Sequence, residues 1–122
     1  MQRTVFLVTL LALAAVPGFS QDPTKVDPKH YKVVYEDAAV RVLNITYGPH
    51  EKSVMHEHPD GVAVYLTDDR FKFHLADGTS PERDGKKGDH ISAPAEKHNP
   101  ENLGDTTAHV ILVEFKGPAQ KK

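Results

Sequence analysis

The sequence of 122 residues contains no cysteine and no tryptophan, and its charges nearly cancel, giving a formal net charge of -2. Without cysteine the chain cannot form a disulfide, bind a metal through thiolates or use a cysteine nucleophile. Without tryptophan it lacks the usual flat aromatic platform for a glucan chain. The near balance of charge provides no electrostatic footprint for nucleic acid, so we expect no nucleic-acid partner. Eight histidines remain to be explained.

The first twenty residues have the pattern of a signal peptide. Arg3 supplies a positive start, residues 4–16 form an almost unbroken apolar run, and residues 17–20 provide a turn and small residues for cleavage. The apolar run is shorter than the roughly 20 residues that a membrane-spanning helix needs. We therefore predict cleavage after Ser20, a secreted or periplasmic protein, and no membrane association after cleavage.

The residues that follow residue 20 have a low apolar content for a globular domain. They can build one small core, and a dimer would bury additional apolar surface. An exported chain without disulfides must be stabilised by packing, by a metal or by a partner. We therefore expect a homodimer.

Short runs rich in Val, Ile, Tyr and Phe alternate with turn residues from residue 31 onward. Such runs, bounded by Gly, Pro and Asp, predict an all-β domain over residues 31–116, without helices, built as a small β-barrel or jelly roll. Residues 21–30 are predicted to be a polar N-terminal tail with a solvated His30, and residues 117–122 a polar C-terminal tail. The predicted strands are residues 32–34, 40–47, 62–66, 70–75, 89–93 and 108–115.

Two histidines recur at the period of a β-strand. Residues two apart in a strand point to the same face, so His56 and His58 would lie side by side while Glu57 points away. Two imidazoles on one rigid strand supply two metal ligands, and a third is expected from His98 on a distant strand. The competing interpretation is a set of hydrogen-bonded core histidines that bind no metal.

The histidines stand within a longer pattern of residues. It consists of Gly48, His56-Glu57-His58, Pro59, Val64-Tyr65-Leu66, Gly88-Asp89, Pro94, His98 and Asn102. This pattern resembles the two motifs of the cupin superfamily and covers almost the whole chain after the signal peptide. The resemblance implies a barrel of six to eight strands, an inward-facing metal and, commonly, a homodimer.

The sequence departs from the cupin pattern at the position where a metal-binding Glu is usual. We assign that position to Val62, so the predicted site has three neutral imidazoles and no carboxylate ligand. Such a donor set favours copper, while iron, zinc, nickel and manganese remain open. Three ligands leave coordination positions for oxygen, peroxide or a substrate, as in a catalytic site.

The sequence therefore predicts a secreted, metal-dependent oxidoreductase that uses oxygen or peroxide. Its three-His site and export signal resemble small secreted copper cupins that cleave cellulose, which implies an extracellular polysaccharide as one substrate. Tyr65 is the predicted proton or electron shuttle and Glu57 the predicted proton donor. The alternatives are a three-His iron dioxygenase acting on a small molecule, such as a thiol or an aromatic compound, and a non-catalytic cupin that binds a metal or a sugar.

Overall fold

The computed structural model describes residues 21–117, which form nine strands and one short helix. The helix is α1 (Pro23–Val26), and the strands are β1 (Tyr31–Glu36), β2 (Val40–Tyr47), β3 (His56–His58), β4 (Gly61–Tyr65), β5 (Asp69–Leu75), β6 (Glu82–Gly85), β7 (His90–Ala93), β8 (Glu96–Asn102) and β9 (Ala108–Phe115). The predicted signal peptide, residues 1–20, and residues 118–122 of the predicted C-terminal tail lie outside the described residues. Between residues 21 and 117 no helix has the length and apolar character needed to cross a membrane.

The strands form two antiparallel sheets. The five-stranded sheet has the order β1-β2-β9-β4-β7, and the four-stranded sheet has the order β3-β8-β5-β6. In both sheets strands far apart in the sequence become neighbours, as when β9 pairs with β2 on one side and with β4 on the other. The all-β fold predicted from the sequence is confirmed.

Two strands that carry few β-forming residues were missed by the sequence prediction. The sequence of β8 is polar and contains Pro100, and that of β6 is charged. Strand β8 is nevertheless central in its sheet because β3 pairs with one edge and β5 with the other. Tertiary pairing outweighs local propensity here, as is common for strands.

Alternation along the central strands β2, β9 and β4 divides the five-stranded sheet into an inner and an outer face. In β9 the residues Ala108, Val110, Leu112 and Glu114 are buried, while the residues between them are more exposed. The inner residues join Leu43 and other apolar residues of both sheets in one core. This core lines the interior in which the functional side chains lie.

The outer face of the same sheet has an apolar row across its central strands. The register places Val113 between Val42 on β2 and Val62 on β4, and Ile111 next to Val64. These side chains lie on the face opposite to the buried positions of their strands. The row of Val42, Val113 and Val62 is therefore an apolar, half-buried strip on this face.

The short segment of residues 21–30 differs from the solvated tail that the sequence predicted. It contains α1, which begins after Asp22 because the Asp22 carboxylate accepts a hydrogen bond from the Thr24 N–H at 2.9 Å and Pro23 starts the first turn. Pro23, Asp27 and His30 are buried. The absence of helices and the solvated His30 were both wrong predictions, because hydrogen bonds and ion pairs to the rest of the domain hold this polar segment.

Candidate metal centre

Three histidines from two neighbouring strands meet in the interior. His56 and His58 lie on the same face of β3, and the antiparallel pairing of β3 with β8 places His98 directly opposite His56. All three side chains are buried, with relative exposures of 0% for His56, 6% for His58 and 9% for His98. One ring nitrogen of each lies within 4.8 Å of those of the other two. The structure thus brings together the three predicted ligands.

The Nδ1 atom of each histidine has a hydrogen-bond acceptor. His56 donates to the carbonyl oxygen of Val54 at 2.8 Å, His58 to the Glu114 carboxylate at 2.7 Å, and His98 to the Glu96 carboxylate at 2.7 Å. When Nδ1 carries the proton, Nε2 carries the lone pair that a metal needs. This is the arrangement in which metal-binding histidines are usually held.

The unsatisfied atom in this group is Nε2 of His56. It is buried and has no hydrogen-bond partner among residues 21–117. A buried polar atom without a partner costs roughly 1–3 kcal/mol, so its persistence requires an explanation. A transition metal supplies one, since the atom faces two further imidazoles and borderline nitrogen donors suit such an ion.

The electrostatics of the cluster keep two of the imidazoles neutral. Burial, helped by the neighbouring His58 and His98, lowers the pKa of His56 to about 3. Burial also lowers the pKa of His98 to about 4, although the hydrogen bond to Glu96 acts in the opposite direction. Neutral imidazole is the form that binds a metal, so these two ligands need not lose a proton at neutral pH.

The two carboxylates behind the histidines are each held by an arginine. Arg83 pairs with both oxygens of Glu96 at 3.0 and 2.8 Å, and this pairing lowers the pKa of Glu96 to about 2. Arg41 contacts Glu114 at 2.7 Å. Two parallel chains, His98–Glu96–Arg83 and His58–Glu114–Arg41, therefore fix the orientation of two rings.

A cavity of about 350 Å³ opens beside the histidines. His58, His98, Glu96 and Arg83 contribute its polar wall, and Arg83 also lies 4.6 Å above the ring centre of Phe73. The rest of the lining is mostly apolar and aromatic and includes Tyr31, Ile45, Tyr47, Ala63, Tyr65, Phe71, Phe73, Val110 and Leu112. The volume and lining suit a small organic molecule.

The two residues predicted to act in catalysis lie in different places. Tyr65 is buried and lines the cavity with His58 and His98, and burial raises the pKa of its phenol. Its ring occupies the space where a side chain at Gly85 would begin, since a Cβ there would lie 2.2 Å from the ring. Glu57 is exposed on the opposite face of β3. The structure therefore does not bring Glu57 to the histidines, because alternation turns it outward.

The inward position on β4 is Ala63 rather than Val62. Gly61, Ala63 and Tyr65 are the buried residues of this strand, and Ala63 lines the cavity. Val62 lies on the outer face beside Val113. The sequence analysis assigned the missing carboxylate to Val62, and that assignment was wrong by one residue, which in a strand means the wrong face.

Sequence analysis missed the carboxylates that support the ligands. Glu114 was taken only as part of a strand, although the period-two pattern of β9 places it on the same face as Val110 and Leu112. A lone Glu on an otherwise apolar face was the available signal. Tyr31, whose ring centre lies 4.7 Å from that of His56, was also missed because it opens its strand directly after the predicted tail.

Comparisons with solved structures identify the fold. A cupin domain from Bordetella pertussis Tohama I aligns with a TM-score of 0.67 and 24% identity over 71% of this chain and 92% of that chain. A conserved protein with a double-stranded β-helix domain from Klebsiella pneumoniae aligns at 0.57 and 22% identity, over 74% and 78% of the two chains. A cupin family protein from Methanocaldococcus jannaschii with a double-stranded β-helix fold aligns at 0.55 and 13% identity, over 70% and 77%.

These similarities show that the chain has the cupin fold, as the sequence resemblance implied. No protein-family model matches the sequence, and no curated protein matches it. The comparisons therefore identify the fold, whereas any function must be argued from the site itself.

Proposed function

We propose that this chain is a mononuclear metalloprotein in which His56, His58 and His98 bind one transition metal ion, and that it oxidises a small organic molecule. The observation that carries the proposal is the buried, unsatisfied Nε2 of His56, which faces two more imidazoles whose Nδ1 atoms are already hydrogen-bonded. Three nitrogen ligands leave positions open for an exchangeable molecule.

The cavity supports a small molecule rather than a polymer as the substrate. Its volume of about 350 Å³ lies at the lower end of ordinary ligand pockets, and its lining is mostly apolar. The charge of Arg83 is already matched by Glu96, so a neutral aromatic or alkyl compound fits better than a strongly charged one. These features favour the small-molecule substrate over the cellulose chain that the sequence suggested.

The chain's own residues have distinct tasks in this proposal. The metal, when bound, provides a redox-active or Lewis-acidic centre beside the cavity. Glu96 and Glu114 hold the protons on Nδ1 of His98 and His58 and thereby direct the other nitrogens inward. Tyr65, kept protonated at neutral pH, offers a hydrogen-bond donor from the cavity wall, and the aromatic lining excludes water.

Copper is the metal we propose. The donor set lacks the hard oxygen ligands that manganese and magnesium favour, and the affinity of nitrogen sites rises to a maximum at Cu(II). Export through the predicted signal peptide would place the protein where copper and zinc are available in oxidising surroundings. Iron in the same three-His set is the alternative that leaves the substrate class unchanged.

The first test measures metal binding. The chain lacking residues 1–20 is stripped with a chelator and titrated with Cu(II), Zn(II) and Fe(II), the last under anaerobic conditions. We expect one equivalent to bind, and binding to be lost in His98→Ala. His90→Ala is the matched control because that histidine is exposed on β7. Binding no tighter than micromolar by the wild type would refute the metal centre.

The second test measures turnover. Oxygen and peroxide consumption by the metal-loaded protein with a reductant is compared for small phenols, alkyl thiols and soluble cello-oligosaccharides. We expect consumption that depends on the small molecule, and a lower rate for Tyr65→Phe with unchanged metal content. Equal background rates of consumption with every compound would refute the proposed oxidoreductase activity and leave metal binding as the function.

A further inference from the structure

The segment of residues 21–30 lies directly against the strand that carries two of the candidate ligands. Helix α1 packs against β1 and β3. The Glu57 N–H, located between His56 and His58, donates a hydrogen bond to the carbonyl oxygen of Gln21 at 3.0 Å. This N-terminal segment thus contacts the edge of β3 that faces away from β8.

One carboxylate of the segment connects to His58. Asp22 pairs with Arg41 at 2.6 Å, and Arg41 in turn contacts Glu114, whose second oxygen accepts the hydrogen bond of His58. The side chains of Asp22, Arg41 and Glu114 are only 15%, 17% and 2% exposed. Arg41 therefore bridges two carboxylates in a largely buried setting, where loss of one partner frees the guanidinium to move.

A second carboxylate of the segment connects to His56. Asp27 accepts a hydrogen bond from the Ser53 hydroxyl and pairs with Nδ1 of His30 at 2.6 Å. The Ser53 hydroxyl oxygen lies 3.4 Å from Nδ1 of His56, and the next residue along the chain, Val54, supplies the carbonyl that His56 contacts. Asp27 therefore anchors the stretch of chain that orients His56.

The ring of His30 completes this anchor. It stacks on Tyr47 with a centroid distance of 4.3 Å and an interplanar angle of 5°, and its other nitrogen contacts Glu51. Ser53 is thereby held from the side of the N-terminal segment as well as by its own N–H, which donates to the carbonyl oxygen of Pro100. The anchor is built of several mutually dependent contacts.

We propose that the N-terminal segment is the element that positions two of the three metal ligands. Asp22 acts on His58 through Arg41 and Glu114, and Asp27 acts on His56 through Ser53. Both aspartates are positioning residues, because neither touches the metal-binding nitrogens. His98 is independent of the segment, since Glu96 and Arg83 hold it from β8 and β6. This inference rests on the proposed metal centre.

The test uses Co(II) as a spectroscopic probe in Asp22→Asn and Asp27→Asn. We expect each variant to bind Co(II) about tenfold more weakly or worse, the range typical for the loss of groups that orient a ligand, and to show altered visible bands. Asp22→Glu, which has a carboxylate on a side chain one methylene longer, is expected to bind Co(II) more tightly than Asp22→Asn. Arg41→Lys keeps the charge but replaces the rigid, planar guanidinium fork by a point charge on a flexible stem, so it is expected to behave like Asp22→Asn.

The matched control is Asp37→Asn. Asp37 also caps a turn, accepting hydrogen bonds from the N–H groups of Ala39 and Val40 at 2.8 Å, but it lies on an exposed loop. The free energy of unfolding of each metal-free variant is measured in urea beside its Co(II) affinity. We expect Asp37→Asn to lose stability without losing affinity.

The outcomes separate this inference from the proposed function. Failure of the wild type to bind any of Co(II), Cu(II) and Zn(II) would refute the metal centre and, with it, this inference. Wild-type binding together with affinities and spectra in Asp22→Asn, Asp27→Asn and Arg41→Lys equal to those of the wild type would refute the positioning role alone. An equal fall in Co(II) affinity in Asp37→Asn would also refute the positioning role, because the weaker binding would then result from a lower free energy of unfolding.

Discussion

Glu114 and His58 are 56 residues apart in the sequence, yet the Nδ1 atom of His58 donates a hydrogen bond to the Glu114 carboxylate at 2.7 Å in the interior. The cupin pattern in the sequence led us to expect a carboxylate among the metal ligands and to regard it as lost. The structure instead contains a buried carboxylate on β9 that is hydrogen-bonded to a candidate ligand. This carboxylate orients the ligand and does not itself face the metal site.

Replacing this carboxylate by an amide tests its role. In Glu114→Gln we expect the affinity for a divalent transition metal to fall about 10-fold to 100-fold, because the ring of His58 loses its charged acceptor. Competition titration against a chromophoric chelator measures the change. Glu101→Gln is the control, since Glu101 pairs in the same way with His74 at 2.9 Å, away from the three histidines. Equal affinities in both variants would contradict the role of Glu114.

Stability of the metal-free protein should depend on pH between about 4 and 6.5. Burial lowers the pKa of His56 to about 3 and that of His98 to about 4, from an ordinary value of 6.5. As the pH falls below 6.5, the unfolded chain takes up protons at these residues while the folded chain does not, so the free energy of unfolding decreases. The loss approaches about 1.4 kcal/mol per pH unit for each histidine.

Urea unfolding of the metal-free protein at pH 7.5, 6.5 and 5.5 measures this loss. Above pH 6.5 both states are neutral at these two residues, so their contribution is constant there. His98→Gln removes one of the two groups and is expected to flatten the dependence. A midpoint that is unchanged from pH 6.5 to pH 5.5 would contradict the neutral, buried imidazoles.

Filling the cavity should block a small ligand without disturbing the metal ligands. Ala63→Leu adds three carbons to the cavity wall, whereas Val62→Leu adds one carbon to the outer face of the same strand. We expect the affinity of the metal-loaded protein for 4-nitrocatechol, a coloured metal-binding probe, to fall at least tenfold in Ala63→Leu only. Metal content should be equal in both variants. A similar affinity in the two would show that the probe binds elsewhere.

The homodimer expected from the sequence is a further prediction, and we assign it to the outer face of the five-stranded sheet. Val42, Val113 and Val62 form a row across three strands. A second copy suits this surface because two such apolar rows, related by a two-fold axis, would bury each other. We expect light scattering to show a dimer at micromolar concentration and a monomer for Val113→Lys. Val34→Lys, on the exposed edge strand β1, should remain dimeric, and a wild-type monomer would contradict the prediction.

The sequence predicted the parts of the site that follow from spacing. His56 and His58 share a face because they are two residues apart in a strand, and the cupin pattern indicated His98. The sequence could not predict the parts of the site that depend on long-range pairing. Nothing local in β8 favours a strand, and nothing near Asp22 in the sequence indicates its pairing with Arg41. The assignment of the inward position to Val62 instead of Ala63 also failed because it depends on pairing. Which face a residue occupies depends on where its strand begins, and the local sequence does not determine that point.

Gly61 sets that starting point. A side chain there would begin 2.2 Å from the carbonyl oxygen of Val113, so β4 approaches β9 more closely than any other residue type allows. Sliding β4 along β9 by one position would force a larger residue into this contact. The glycine therefore fixes the register of the whole strand. An insertion or deletion of one residue before Tyr65 would leave the composition almost unchanged while exchanging the wall of the cavity for the outer surface of the protein.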